Sequence, residues 1–332
     1  MALAARLFAE SWNALIRRAG SHKVAKRHHT RSQPVPTFLI HTPNYSHMHS
    51  GIRCLFLLCH HLNRLGYRAF VTGSGAPAAL LAPHADAAFI ARRRQKARND
   101  IMIYPEITAG NPHGFRRVVR YLLNKQRTPF GPDDFVLHYA DEFQTAGLPS
   151  RLLWIPLLDR AVFHPRNAPR ERSGFLVYSV RHAPDLAMMP DWVQPHTLIS
   201  KSQPRDPLAL ADLYRRSRAL ITWERTAAIG EAMFCGCPVI LVPNPTLELE
   251  PIVRRTFGFG FRVGWDERGL GHAARTVPLA TALYRMRAST LSRNVHRFVR
   301  EVTEYFFVRD ARQPHPLAER VSPATHATPD AP

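Results

Sequence analysis

The chain has 332 residues, 45% of them hydrophobic, with 45 Lys and Arg against 25 Asp and Glu and a formal net charge of +20. That length accommodates two domains of ordinary size, each able to bury a core of its own. Four cysteines exclude a disulfide scaffold, and no apolar run reaches the roughly 18–20 residues needed to cross a bilayer.

Residues 1–36 read as a basic leader. Leu3, Leu7, Phe8, Trp12, Leu15 and Ile16 recur at helical spacing, and Arg17, Arg18, Lys23, Lys26 and Arg27 follow. An amphipathic helix beside such a cluster suits an anionic membrane surface, and a flexible leader or a helix docked on the protein itself stays open beside it. It does not fit a secretory signal, because Arg6 and Glu10 interrupt the apolar stretch and the basic cluster comes after it.

The first ordered strand is predicted over 37–43, followed by a helix over 50–66 that Ser50 caps and Gly66 ends, and a strand over 67–73. Residues 91–98 form a solvated charge run, 100–106 a strand, 114–125 a basic helix, and 134–142 begins as a strand. Strand–helix alternation is the signature of an open parallel sheet with helices on both faces. Prolines and clustered charges in 152–174 break the rhythm and place a boundary near 165–172. Strands at 175–180, 196–200, 219–224 and 238–243 then alternate with helices at 207–217 and 226–236. A single helix is predicted over 278–307, and a Pro-, Ala- and Thr-rich disordered tail over 311–332. The expected fold is α/β: two doubly wound Rossmann-like domains, 37–168 and 169–310, facing a central cleft. Ligands of such sheets bind outside the carboxyl ends of the strands, so functional residues should follow strands directly.

The stretch "ITWERTAAIGEAMFCGCPVILVPN", residues 221–244, meets that expectation. The strand delivers Glu224 to the sheet edge, and Thr226 stands where the next helix begins, ready to cap its amides or to face a phosphate oxygen. Glu231 lies farther into the helix, well placed to accept hydrogen bonds from ribose hydroxyls. Cys235-Gly-Cys237 lacks the spacing and companion histidines of a zinc site, so all four cysteines read as reduced thiols.

This segment resembles the donor-binding segment of GT-B glycosyltransferases, in particular the bacterial group 1 or family 4-like enzymes, which carry two glutamates around a short helix and an "EA–CG–PV" continuation. The resemblance implies that Glu231 holds the nucleotide ribose and that Glu224 lies near the transferred sugar. Six residues separate the two glutamates here, where the family pattern has seven, and the family's intervening Gly and Pro are missing. "LLWIPLLDRAVFHP" is similar to the interdomain segment of these enzymes. Arg181 stands where the family often places an arginine for the diphosphate, and Lys201 is a second candidate cation after the next strand.

In the first domain, Ser50 and Gly51 open a helix at the end of a small-residue loop, where GT-B enzymes face the donor phosphates; His47 and His49 border it. No Gly-x-Gly-x-x-Gly fingerprint accompanies that loop, which argues against a nicotinamide dinucleotide. Glu106 and His138 sit at predicted strand ends. With Asp141 they are candidates to deprotonate an acceptor hydroxyl if the reaction inverts; a retaining reaction needs no such base.

The resemblance implies a retaining glycosyltransferase that moves a sugar from a nucleotide-diphosphate donor to a glycan or lipid-linked acceptor, without a cofactor; no Asp-x-Asp motif stands ready for a divalent metal, so metal independence is expected. It is expected in the cytoplasm, either free or peripheral at the inner face of a bacterial plasma membrane, in envelope polysaccharide synthesis. A non-catalytic GT-B scaffold and a nucleotide-sugar epimerase remain open alternatives. Nucleic-acid binding is disfavoured, because the basic residues are dispersed and lack interleaved aromatics.

Overall fold

In the computed structural model, residues 35–96, 99–181, 189–200, 202, 205–245, 247 and 249–308 are described. The basic leader up to residue 34, Lys201 and the predicted tail lie outside them. The first sheet contains β1 (Thr37–Ile40), β2 (Arg68–Val71), β3 (Asp100–Pro105), β4 (Val118–Leu122), β5 (Phe135–His138) and β6 (Arg151–Leu152), in the order β2-β1-β3-β4-β5-β6 with every pairing parallel. The second contains β7 (Phe175–Tyr178), β8 (His196–Ile199), β9 (Ala219–Thr222), β10 (Val239–Leu241) and β11 (Phe261–Val263), ordered β11-β10-β9-β7-β8 and again all parallel. Both sheets belong to one compact unit.

The two sheets wind alike. In each, the chain steps outward by one strand, then crosses back over the first strand and continues the other way. The reversal falls between β1 and β3 in the first sheet and between β7 and β9 in the second. Those two points, at the carboxyl ends of the strands, are where a doubly wound sheet opens a crevice.

Helix α1 (Ser50–Arg64) turns Cys54, Leu55, Leu58, Cys59 and Leu62 onto the first sheet, at the spacing of a single apolar face. His49 caps it in extended backbone, so Ser50 is already inside the first turn and does not act as the cap. Gly66, at φ 83°, turns the chain out as predicted. Helix α2 (Ala87–Lys96) occupies most of the predicted charge run, and Arg93 on it binds Asp100 at the start of β3.

The predicted basic helix at 114–125 is instead β4. Val118, Val119, Tyr121 and Leu122 favour extended backbone, and all five residues of the strand are buried between covered faces, which leaves no polar side for a helix to show. Arg120 is 2% exposed; it binds Asp134 at 2.6 Å and the carbonyl of Thr108 at 3.0 Å.

The second sheet is covered by α3 (Pro207–Arg216), α4 (Ala228–Phe234), α5 (Glu250–Thr256) and α6 (Glu267–Ala288). Asp206 caps α3 through the amides of Leu208 and Ala209, with proline in the first turn. The predicted single helix at 278–307 begins earlier and divides at Ser289–Thr290 into α6 and α7 (Leu291–Thr303). The break has a packing cause. Val277 and Ala280 of α6 bury into the second core, whereas Val295, Phe298, Val299 and Val302 of α7 bury into the first. The chain thus returns to the lobe where it began. Among the described residues, no helix is long and apolar enough to cross a membrane.

Candidate functional site

Glu224 follows β9 and is 2% exposed. Its Oε1 accepts the backbone N–H groups of Val180, at 2.6 Å, and Arg181, both just beyond β7. The carboxylate therefore spans the strand reversal of the second sheet. Arg181 Nε lies 3.8 Å from Oε2 and its Nη2 donates to the Arg225 carbonyl at 3.4 Å, while the side chain stays 61% exposed. Glu224 thus fixes the β7 turn and aims Arg181.

Thr226 sits two residues on. Its Oγ1 receives the Ala228 amide at 3.4 Å and also bonds Tyr178 at the end of β7. Burial raises the Tyr178 phenol pKa; the Thr226 bond and Arg181 oppose the rise, and Glu231 and Glu224 add to it. Helix α4 starts at Ala228 and has seven residues, too short for a strong dipole, so the positive charge here comes from side chains such as Arg181.

Glu231 projects from α4 toward the first lobe. Its Oε1 accepts two hydrogen bonds from the Arg53 guanidinium on α1, both at 3.1 Å, with side-chain exposures of 13% for Arg53 and 10% for Glu231. A second bridge lies elsewhere on the lobe boundary: Glu142 of the first lobe binds Arg225, the residue after Glu224, and Arg255 of α5. Glu142 also walls a groove of about 470 Å³ at the carboxyl ends of β4 and β5, which Lys125, Arg127 and Gln144 help to line.

The first-lobe candidates form two groups. Ser50 and Gly51 open α1, and a Cβ on Gly51 would meet Leu123 in an ordinary contact of 3.6 Å. Glu106, after β3, is buried; its Oε2 accepts the Leu123 amide at 3.0 Å, and its carbonyl accepts the Thr128 hydroxyl. Burial raises the Glu106 pKa against that bond and against Arg127. His138 ends β5 separately, with Nδ1 2.8 Å from Ser150 Oγ and Nε2 3.7 Å from Asp141. Burial lowers its pKa, opposed by Asp141.

Two candidate residues escaped the sequence reading. His41, directly after β1, lies at the first sheet's reversal with its Nδ1 3.1 Å from Nε2 of His113, while the Tyr104 hydroxyl accepts the His113 amide. The strand predicted over 37–43 hid it by placing it inside the strand, which ends instead at Ile40. Arg53 had a signal too: it is the lone charge in the otherwise apolar run from Ile52 to Cys59. Among the described residues, no cluster of His, Cys, Asp and Glu is arranged to hold a metal ion.

No protein-family model matches the chain. No curated protein matches it either. Among solved structures it is similar to WaaG, a glycosyltransferase involved in lipopolysaccharide biosynthesis, at 11% identity and a TM-score of 0.44, over 80% of this chain and 98% of that one. A glycosyltransferase from Rickettsia africae ESF-5 has the same identity and score, with 81% and 93% covered. MurG of Acinetobacter baumannii aligns at 9% identity and 0.37, with 82% and 100% covered. Likeness at this level concerns the arrangement of layers and does not bear on donor, acceptor or chemistry.

Proposed function

We propose that the chain is a two-lobed GT-B glycosyltransferase that takes its sugar from a nucleoside-diphosphate donor. One observation carries the reading: Glu231, on the helix that follows the strand reversal of the second sheet, directs its carboxylate across the lobe boundary, where it meets Arg53 of the first lobe. A nucleotide lying there sets its ribose hydroxyls on Glu231 and its diphosphate toward Arg181 and the Thr226 hydroxyl, with Lys201 as a further candidate cation.

Charge gathers on the diphosphate as the glycosidic bond breaks, and a cation aimed in advance stabilises it as it forms. Glu224 supplies that aim through the β7 turn. Ser50 and Gly51 border the same boundary from the first lobe, which brings the acceptor. In a retaining course the acceptor proton passes to the leaving diphosphate oxygen, and His138 and Glu106, whose partners lie in the first lobe, are left to bind the acceptor. The net charge of +20 suits an anionic, lipid-linked or glycan acceptor at the inner surface of a bacterial envelope, without a metal or cofactor.

A second reading, a GT-B scaffold that holds the nucleotide sugar without transferring it, is favoured by the commitment of Glu224 to backbone amides. Incubation with a panel of nucleotide sugars separates the two. An enzyme releases nucleoside diphosphate, slowly to water and faster with acceptor, whereas a scaffold binds the donor and leaves it whole. A chain that neither binds nor cleaves any of them is not of this class.

A further inference from the structure

We propose that the groove at the carboxyl ends of β4 and β5 is the acceptor subsite, and that it takes an acceptor bearing a phosphate or carboxylate, which Lys125 and Arg127 hold. The inference rests on the transferase reading above and adds to it where the acceptor lies and what charge it carries. The groove has a volume of about 470 Å³, inside the range of about 300–1,000 Å³ common for ligand clefts. Phe143 and Pro129 are its apolar lining residues, and the others are charged, amide or hydroxyl side chains. Such a lining suits a glycan, whose surface is largely hydroxyl, better than an apolar ring. Its walls are held in place. On one side the Thr128 hydroxyl donates to the Glu106 carbonyl at 3.1 Å, and the Gln126 side-chain amide donates to the Thr128 carbonyl at 2.9 Å. On the other, the 3₁₀ turn Asp141–Phe143 closes with the Gln144 amide on the Asp141 carbonyl at 3.0 Å.

The charge of the groove decides the ligand class. Among the described residues that line it, Glu142 is the one acid. That carboxylate already faces two guanidinium groups of the second lobe, Arg225 and Arg255. Asp141 beside it approaches His138 Nε2 at 3.7 Å, and Glu106 is buried with its carboxylate on the Leu123 amide. Lys125 and Arg127 stand exposed on the opposite wall, so the charge that meets an occupant is positive. A phosphate or carboxylate answers it, and a neutral sugar leaves it unused. The groove also ends beside the donor segment. Arg225 directly follows Glu224, and its guanidinium lies 4.8 Å from the centre of the Phe143 ring. Every lining residue belongs to the first lobe, whereas Glu231, Thr226 and Arg181 belong to the second. The occupant therefore lies next to the nucleotide and does not take its place.

The test uses the full chain, a variant combining Lys125→Gln with Arg127→Gln, and a charge-keeping variant combining Lys125→Arg with Arg127→Lys, each checked for native melting. Saturation-transfer NMR titrations use glucose 6-phosphate and glucuronate as anionic probes and glucose as the neutral one, and calorimetry with UDP, GDP and ADP reads the donor site. The original chain should bind the anionic probes about tenfold more tightly than glucose, the combined effect of two exposed charge pairs. The double glutamine variant should lose that preference and the charge-keeping variant should retain it, with nucleotide affinity equal in all three. Glucose 6-phosphate should also change the rate of diphosphate release from the preferred nucleotide sugar in the original chain; a bound probe without effect would overturn the acceptor assignment. Vesicles of phosphatidylglycerol separate a sugar's anion from a lipid headgroup: if the double glutamine variant loses vesicle binding while its glucose 6-phosphate affinity is unchanged, the proposal is refuted. Equal binding of glucose and the anionic probes by the original chain refutes it too. So does a loss of nucleotide affinity in the double glutamine variant, which would assign both cations to the donor diphosphate and leave the donor reading standing. If no nucleoside diphosphate binds any of the chains, the donor reading falls and the acceptor assignment falls with it.

Discussion

Replacing Glu224 with alanine separates a structural carboxylate from one that only touches substrate. The side chain is 2% exposed, and its Oε1 accepts two backbone N–H groups. Charge-assisted bonds of this kind contribute about 1.5–3 kcal/mol each. The amides of Val180 and Arg181 lie near the surface and regain part of that from water, so the net loss should be about 3 kcal/mol. For a unit of this size that lowers the melting temperature by about 5–10 °C. Glu224→Gln keeps a carbonyl oxygen for the two amides and should lose less than half as much. Differential scanning calorimetry on both variants, beside diphosphate release from the donor, gives the comparison. A Glu224→Ala chain that melts with the parent yet has lost all activity would refute the structural role and favour direct contact with the sugar.

Arg120→Met should cost about 3–5 kcal/mol in denaturant unfolding, because it strands Asp134 beside a buried strand; Arg120→Met with Asp134→Asn should recover part of that, and a loss below 1 kcal/mol would contradict the assignment. The four thiols are buried, which pushes the pKa of Cys54, Cys59 and Cys237 up to about 12 and that of Cys235 up to about 11. Fewer than one thiol per chain should react with a disulfide reagent at pH 8, and all four should react after unfolding; fast native labelling would overturn that burial. Burial, with smaller contributions from His60 and Arg64, lowers the His61 pKa to about 4 from an ordinary 6.5. The unfolded chain therefore takes the proton first as pH falls, and the stability His61 provides is complete above 6.5 and lost toward 4. Unfolding midpoints should drop between pH 7 and 5, less steeply in His61→Gln; an unchanged slope in that variant would refute the assignment.

Period and punctuation made most of the fold legible. Apolar runs bounded by turn residues marked the central strands, and alternation with helices implied parallel pairing before any register was known. The strand-tip rule located Glu106, His138 and Glu224 because a strand's end is a local feature. β4 was hidden because Arg116, Arg117 and Arg120 resemble the polar face of a helix; only Asp134 and the carbonyls of the preceding loop reveal that Arg120 is neutralised inside. The hydrogen bonds of Glu224 were equally illegible. They depend on β7 pairing with β9, which brings Val180 beside a residue 44 positions away. Arg53 left a trace as a charge within an apolar run, but its partner on α4 lies 178 residues away and could not be read locally. The division between α6 and α7 required knowing that two cores compete for one helical pattern.

Calorimetric titration of the intact chain and of Glu231→Gln with UDP, GDP and ADP bears most directly on the central claim. The account predicts that one of the three binds in a 1:1 ratio and that Glu231→Gln weakens it at least about tenfold, the loss expected when a charged acceptor is removed from ribose hydroxyls. Binding of none of them, or equal affinity in both chains, would contradict it.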